Sequence, residues 1–286
     1  MSGENPGTLS VWQLVELARH PERPYALDYI LRLAPDFVEL HGDRLGGDDC
    51  ALVAGVGTWH GRPTMFFGQQ KGRNLNERVM RNFGMMHPEG FRKAIRLCGQ
   101  AAKFGFPIVS LIDTPGAFPG AGAEERGIAA AIAAAIMQWF EVPVPVLAAV
   151  IGEGGSGGAL GMAVADRVLM LENSIYSVAM PESCATIVWR DSTRKVEAAE
   201  QLQITSRDLI AMGVVDEVLA EPEGGAQMDF EAAAATLDEA LRRHLQPLLG
   251  MGPRELLQHR HDRFRYIDSL IRAEPHFGPK VEPRAV

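Results

Sequence analysis

The decapeptide Ile151–Leu160, IGEGGSGGAL, follows an apolar run and precedes a predicted short helix, and its reading decides the fold. Taken from Gly152, Gly154 and Gly157 it is G-x-G-x-x-G, a dinucleotide fingerprint, and Glu172 stands at about the 20-residue distance suited to a ribose. Taken from Gly154, Ser156 and Gly158 it is G-x-S-x-G, a serine nucleophile elbow, with Asp216 and His244 downstream in a suitable order. Each reading meets an objection. The next apolar run begins near Asp166, too soon for the long crossover helix of a dinucleotide fold. No His-Gly-Gly-Gly-type segment supplies the donors an elbow needs. No lysine follows the glycines, so there is no phosphate P-loop, and DTPG at 113–116 cannot carry GTP chemistry without one.

Two readings of the glycines remain. They allow close packing of helix on strand, or they expose backbone N–H groups at a helix start, where unpaired donors and the helix dipole favour an anion such as an enolate or oxyanion. A second loop supports the latter. Asp113-Thr114-Pro115-Gly116-Ala117-Phe118-Pro119-Gly120 leaves the preceding apolar run at its C-terminal end, where open α/β sheets place ligands. Prolines 115 and 119 stiffen it, and Gly116 and Gly120 admit a close ligand. The alternative for this loop is a rigid turn before the helix that starts at AEERG.

Outward from these loops the pattern is regular. Helices are predicted after Pro88, closed by Gly105, and from about Ala123 to Phe140. Strands are predicted at Pro107–Ile112, Val144–Ile151, Asp166–Leu171 and Val214–Leu219. Fully apolar strands alternating with helices imply parallel strands covered on both faces, an α/β core. ALVAGVGTW and PTMFFGQQ, joined by His60-Gly61-Arg62, predict a hairpin. The chain divides into a helical N-terminal arm at 1–46, a core at 47–225, C-terminal helices at 226–272 (Phe230–Leu249 and Pro253–Ile271) and a flexible tail at 273–286.

Composition narrows the function. A net charge of −8 argues against nucleic acid as the main partner. Three scattered cysteines, Cys50, Cys98 and Cys184, suggest neither a disulfide framework nor a structural zinc, and fit reduced thiols in the cytoplasm. The N-terminus lacks the pattern of a secretory signal. The most apolar long stretch, Gly127–Phe140, falls short of the roughly 20 residues that cross a bilayer, so no membrane role is expected.

KGRNLNERVMRNFGMMHPEGFRKA (71–94), DTPGAFPGAGAEERG (113–127) and IGEGGSGGALGM (151–162), with RPYALDYI and ELHGDR before them, closely resemble the carboxyltransferase α subunit of bacterial multisubunit acetyl-CoA carboxylase over residues 8 to 225 or so. The resemblance implies a crotonase-like (ClpP/crotonase) fold. It implies an enzyme active with a zinc-ribbon β subunit, as α2β2, moving a carboxyl group from carboxybiotin on a biotin carboxyl carrier protein to acetyl-CoA. The product, malonyl-CoA, feeds fatty acid synthesis. ATP is consumed at the separate step of biotin carboxylase in the larger complex, and no metal is expected in this chain. By motif position, the backbone N–H groups of Gly157, Gly158 and Ala159 form the expected oxyanion hole, Gly154 and Gly155 shape it, and Gly116, Ala117, Phe118, Lys71 and Arg73 contact substrate.

The chemistry agrees: charge builds on oxygens during such a transfer, so fixed N–H donors matter more than a catalytic His or Cys. The basic residues Lys71, Arg73, Arg78, Arg81, Arg92, Lys93 and Arg96 either attract CoA phosphates or the carrier, or form a solvated face. Glu124, Glu125 and Arg126 favour a helix start. One departure is Met180-Pro181-Glu182-Ser183-Cys184, where the family pattern is Ser-Pro-Glu-Gly-Cys. Two other functions stay open: a stand-alone acyl-CoA hydratase or isomerase, with Glu153 the only acid inside the glycine run, and a non-enzymatic scaffold for CoA or a carrier protein.

Overall fold

The computed structural model describes residues 9–273. Apart from its first residue, the tail expected at 273–286 lies outside them. Ser10 caps α1 (Val11–Ala18) in a capping box with Gln13, and α2 (Ala26–Leu33) follows the Pro21 and Pro24 breaks. A two-residue strand, β1 (Val38–Glu39), then pairs antiparallel with β2 (Leu52–Trp59), which forms the expected hairpin with β3 (Arg62–Gln69). The segment expected as a purely helical arm thus also contributes a sheet edge. The turn at His60-Gly61 uses positive φ at both residues, as a two-residue hairpin requires.

Short helix α3 (Leu75–Met80) precedes α4 (Pro88–Phe104), which ends on left-handed Gly105. β4 (Ile108–Thr114) is buried throughout. The single helix expected after it is two, α5 (Ala121–Glu125) and α6 (Ile128–Glu141), because Gly127 sits at φ 79°, where a right-handed helix cannot continue. β5 (Val146–Gly155) runs four residues beyond the expected end, since the first glycines continue the strand instead of leaving it. Then come α7 (Ser156–Ala163), β6 (Arg167–Leu171), β7 (Ile175–Ser177), α8 (Pro181–Trp189), α9 (Lys195–Gln201), α10 (Ser206–Ala211) and β8 (Glu217–Leu219). Helices α11 (Phe230–Leu249) and α12 (Pro253–Ala273) close the chain.

Among the described residues the strands form one sheet in the order β1-β2-β3-β4-β5-β6-β8, parallel from β3 onward, with β7 paired to the far end of β5. One face of the sheet carries α4, α6 and α7 around Phe67, Phe91, Leu97 and Trp139; the other carries α2 and α11 around Tyr29, Phe66, Leu147 and Leu241. Both faces are covered, which explains the continuous apolar runs. Arg260 of α12 is fully buried. It grips Asp166 with two hydrogen bonds (3.0 and 2.8 Å) and donates to the carbonyls of Trp139, Val142 and Val144, tying the last helix to the ends of α6 and β5. No described helix is long and apolar enough to cross a membrane.

Candidate active site

The two glycine loops meet at the ends of β4 and β5. The register between these strands shifts after Ile112↔Val150 to Thr114↔Gly154, so β5 bulges over 151–153. The bulge's loose backbone groups find side chains: Arg23 donates to the Ile151 carbonyl at 2.7 Å, and the Glu153 N–H donates to Asp113 at 3.0 Å. Gly152 is glycine because a Cβ there would lie 2.4 Å from the Asp113 carboxylate.

Ions lock the two strand ends together. The Lys71 ammonium, at the end of β3, lies 2.7 Å from Asp113 and 2.9 Å from Glu153. Arg19 reaches from beyond α1 to Glu153 (2.8 Å) and to Glu182 at the start of α8 (2.7 Å). Burial would push Glu153 up, but Lys71 and Arg19 outweigh it and hold this carboxylate below its usual range. Burial pushes Asp113 up against the pull of Lys71. Arg19, Lys71 and Glu153 border a cavity of about 250 Å³, shared with Tyr25, Arg78, Phe83 and Pro115.

The helix after the loop is fixed from its carbonyl side. Gln69 donates to the Gly158 carbonyl (2.7 Å), Trp139 to that of Gly161 (2.7 Å) and Ser110 to that of Met162 (2.8 Å). Its N-terminal end has no side-chain cap, so the first-turn N–H groups are left for another partner.

Close packing explains much of the glycine run. A Cβ at Gly155 would sit 2.1 Å from the Pro115 carbonyl oxygen, and one at Gly158 would lie 2.3–2.7 Å from Gly116 and Ala117 backbone atoms. A Cβ at Gly154 would meet the Tyr176 ring at 2.7 Å. Gly157 differs, since its nearest contact is an ordinary 3.5 Å to Ile132. Gly157 is half-buried and lines a cavity of about 270 Å³ with Ser156, Leu160, Tyr176, Ser177, Val178, Leu209 and Val214, whereas Gly158 and Ala159 are buried. On the facing loop, the Gly116 N–H is bonded to the Thr114 hydroxyl (3.1 Å) and that of Phe118 to the Met86 carbonyl (3.0 Å). Ala117 is half-buried, and its N–H donates to no described group. Phe118 stacks on His87 with ring centroids 4.1 Å apart, and forms wall.

Most of the basic run is engaged by groups of the protein itself. Arg73 binds Asp28 and lies over the Tyr25 ring; Arg81 and Arg96 donate to the carbonyls of Cys50 and Gly42. Arg92 binds Asp43 and Glu89, and Lys93, with no exposed surface, binds Asp48 and the Leu52 carbonyl. Arg92, Lys93 and Arg96 thus hold residues 41–52 against α4 and Arg81 adds a bond to Cys50, whereas Arg73 keeps an exposed side chain beside Asp28. The residues of the serine-elbow reading are occupied elsewhere: His244 binds Glu217 (2.6 Å) and Asp216 binds Arg263 (2.9 Å). Among the described residues no cluster of His, Cys, Asp and Glu is placed to hold a metal ion.

Residues 3–268 match the family model described as acetyl co-enzyme A carboxylase carboxyltransferase-like. The chain belongs to this family. The α subunit of acetyl-coenzyme A carboxylase carboxyl transferase from Sorangium cellulosum is 55% identical over 263 residues, 92% of this chain and 83% of that protein. That from Halorhodospira halophila is 54% identical over 260 residues, 91% of this chain and 82% of that protein. Among solved structures, a Pseudomonas malonate decarboxylase hetero-dimer chain superposes with a TM-score of 0.66 at 17% identity, covering 86% of this chain and 97% of that one. The architecture of this family member is the crotonase-like α/β fold expected from its motifs. Arg19, Arg23, Gln69 and Tyr176 emerge only in three dimensions; their partners lie 134, 128, 89 and 22 positions away in the chain, beyond any local motif.

Proposed function

We propose that the chain is the α subunit of the carboxyltransferase component of an acetyl-CoA carboxylase, active in the cytoplasm with a zinc-ribbon β subunit as α2β2. In this reading it transfers the carboxyl group carried as carboxybiotin on a biotin carboxyl carrier protein to acetyl-CoA, giving malonyl-CoA for fatty acid synthesis, with ATP used at the biotin carboxylase step. The observation that carries it is the uncapped start of α7 opening on an apolar cavity at Gly157, with the backbone nitrogen of Ala117, which donates to no described group, packed against the neighbouring Gly158.

The cavity suits a biotin-sized ring: about 270 Å³, walled by Leu160, Tyr176, Val178, Leu209 and Val214, with polar groups at one edge. Bound there, carboxybiotin supplies the carboxyl group to be moved. The chain's own part is electrostatic. Gly157 and Ala117 present fixed N–H donors to a ligand oxygen that gains negative charge, each contributing about 3 kcal/mol to the transition state. Gly158 and Ala159 stay in this reading as the further expected donors of the same turn; Gly158 also lets the facing loop pack against α7, and Ala159 packs into the core. Gly154 and Gly155 shape the loop. Lys71 keeps its part in the site as the ionic tie between strand ends, and Arg73 as support for Tyr25. Burial pushes Tyr176 up to about 12, so at neutral pH it is no general base. The hydratase reading loses its acid, because Glu153 is held ionised by Lys71 and Arg19.

The test is carboxyl transfer from carboxylated carrier protein to acetyl-CoA, read by mass spectrometry, with this chain alone and with a matching β subunit. Malonyl-CoA formed only with the partner supports a shared site. Absence of product in both, or hydration of crotonyl-CoA by the chain alone, overturns the reading.

A further inference from the structure

The glycine-rich junction inverts the usual relation between residue type and backbone. None of the glycines at 152, 154, 155, 157, 158 and 161 has a positive φ, and the residue that does is Ser156, at 51°. Glycine enters this left-handed region freely, whereas a side chain there is strained by its own Cβ. Between Gly155 and Gly157, glycine would be the relaxed choice at position 156.

Nothing inside the protein accounts for the serine. It is exposed, so its side chain fills no core space, and it does not cap α7. Its hydroxyl bonds to no described group. Ser177, the next small hydroxyl on the cavity wall, is already committed to the Ala179 carbonyl at 2.6 Å. What Ser156 does face is the 270 Å³ cavity, immediately beside Gly157. Strained residues persist where the surrounding structure holds them in a functional position.

We propose that Ser156 is a ligand-binding residue: its hydroxyl donates a hydrogen bond to a carbonyl or carboxylate oxygen of the group held in this cavity, next to the Gly157 amide. The proposal rests on reading the cavity as the carboxyl-transfer site. It does not make Ser156 a nucleophile. No histidine, lysine or carboxylate lines the cavity to take its proton, and Tyr176 holds its own proton at neutral pH.

The experiment uses the reconstituted α–β complex with carboxylated carrier protein and acetyl-CoA, comparing wild type, Ser156→Ala and Ser156→Gly, with the melting temperature of each purified chain measured in parallel. Both variants are expected to lose about tenfold in kcat/KM for the carrier, the scale of one lost hydrogen bond. Ser156→Gly is also expected to melt level with wild type or about 2 °C higher as the left-handed strain is released. Activity and stability moving apart in this way is an outcome that a merely structural serine cannot give. An active wild type with Ser156→Ala at full kcat/KM overturns the assignment alone, as does a loss confined to Ser156→Gly, which would trace to backbone freedom. A wild-type complex that makes no malonyl-CoA overturns the reading of the cavity and this inference with it.

Discussion

Replacing Lys71 with Met removes one charge and keeps most of the side chain's apolar length, which isolates what the ammonium does between β4 and β5. The Nζ lies within 3 Å of both Asp113 and Glu153, whose side chains are 3% and 7% exposed. After the substitution Glu153 still has Arg19 at 2.8 Å, but Asp113 keeps one hydrogen bond, from the Glu153 N–H at 3.0 Å, and the more distant charge of Arg23. Removing one partner of a buried ion pair costs about 3–5 kcal/mol because the survivor is left uncompensated. We place Lys71→Met at about 3 kcal/mol at pH 7, the low end of that range, since Asp113 can escape by taking up a proton. Burial already pushes its pKa upward, and losing Lys71 pushes it further. The sign follows. A carboxyl whose folded pKa lies above its unfolded value, about 3.9, binds its proton more tightly when folded, so the stability this gives is present at low pH and lost as pH rises through the folded pKa. The stability gap between variant and wild type should therefore widen from pH 5 to pH 8. Urea denaturation of both proteins across that range, followed by circular dichroism, measures it. A variant as stable as wild type at pH 7, or a gap that does not change with pH, would show that Lys71 does not compensate Asp113.

Gly158→Ala should lower the melting temperature of the purified chain by several degrees, because its Cβ would overlap the backbone of Gly116 and Ala117, which has no side chain to rotate away. Gly157→Ala, with only ordinary contacts, should fold like wild type; equal melting points for the two variants would sink the packing account. Glu221 lies fully buried against Arg23 at 2.6 Å, and although burial would raise its pKa, Arg23 lowers it. Its stabilisation is then complete above the unfolded value of about 4.3 and lost as pH falls through the lower folded value. Glu221→Gln should be less stable at pH 7 yet show a shallower loss between pH 5 and 3 by acid titration, and parallel acid limbs would refute the pairing.

Much of the fold was legible because local signals and tertiary contacts agreed. The all-apolar runs at β4, β5 and β6 required cover on both faces, and Gly105 and Pro88 bracket α4 where a cap and a first turn belong. Misses occurred where a single backbone angle or a distant partner decided. Gly127 reads as one more small residue in a helix of alanines until its left-handed φ breaks it. β7 is three residues long and pairs with Glu153, Gly154 and Gly155 at the far end of β5, a partner no local signal announces. The ties of Arg92, Lys93 and Arg96 to residues 41–52 were not legible, because those partners carry no periodic signal.

The loops of the candidate site were legible in the sequence, but the separate packing role of each glycine was not, for one physical reason. A glycine marks a place where backbone must come close to something, but the sequence does not say whether that something is ligand or protein. At Gly155 and Gly158 it is the facing loop, within 2.1–2.3 Å of where a Cβ would be; Gly157 has only an ordinary 3.5 Å contact with Ile132 and lines the cavity. The two roles depend on each other. Only because Gly155 and Gly158 let the 115–117 backbone press against α7 does the unpaired Ala117 N–H arrive beside the start of that helix, and only because Lys71 ties Asp113 to Glu153 do the strand ends hold that spacing. The anion site we propose, assembled this way, needs no catalytic side chain in either loop. Its strength comes from donors that do not move as charge develops, so the substitutions that weaken it most should be those that loosen the contact between the loops, even where they touch no ligand.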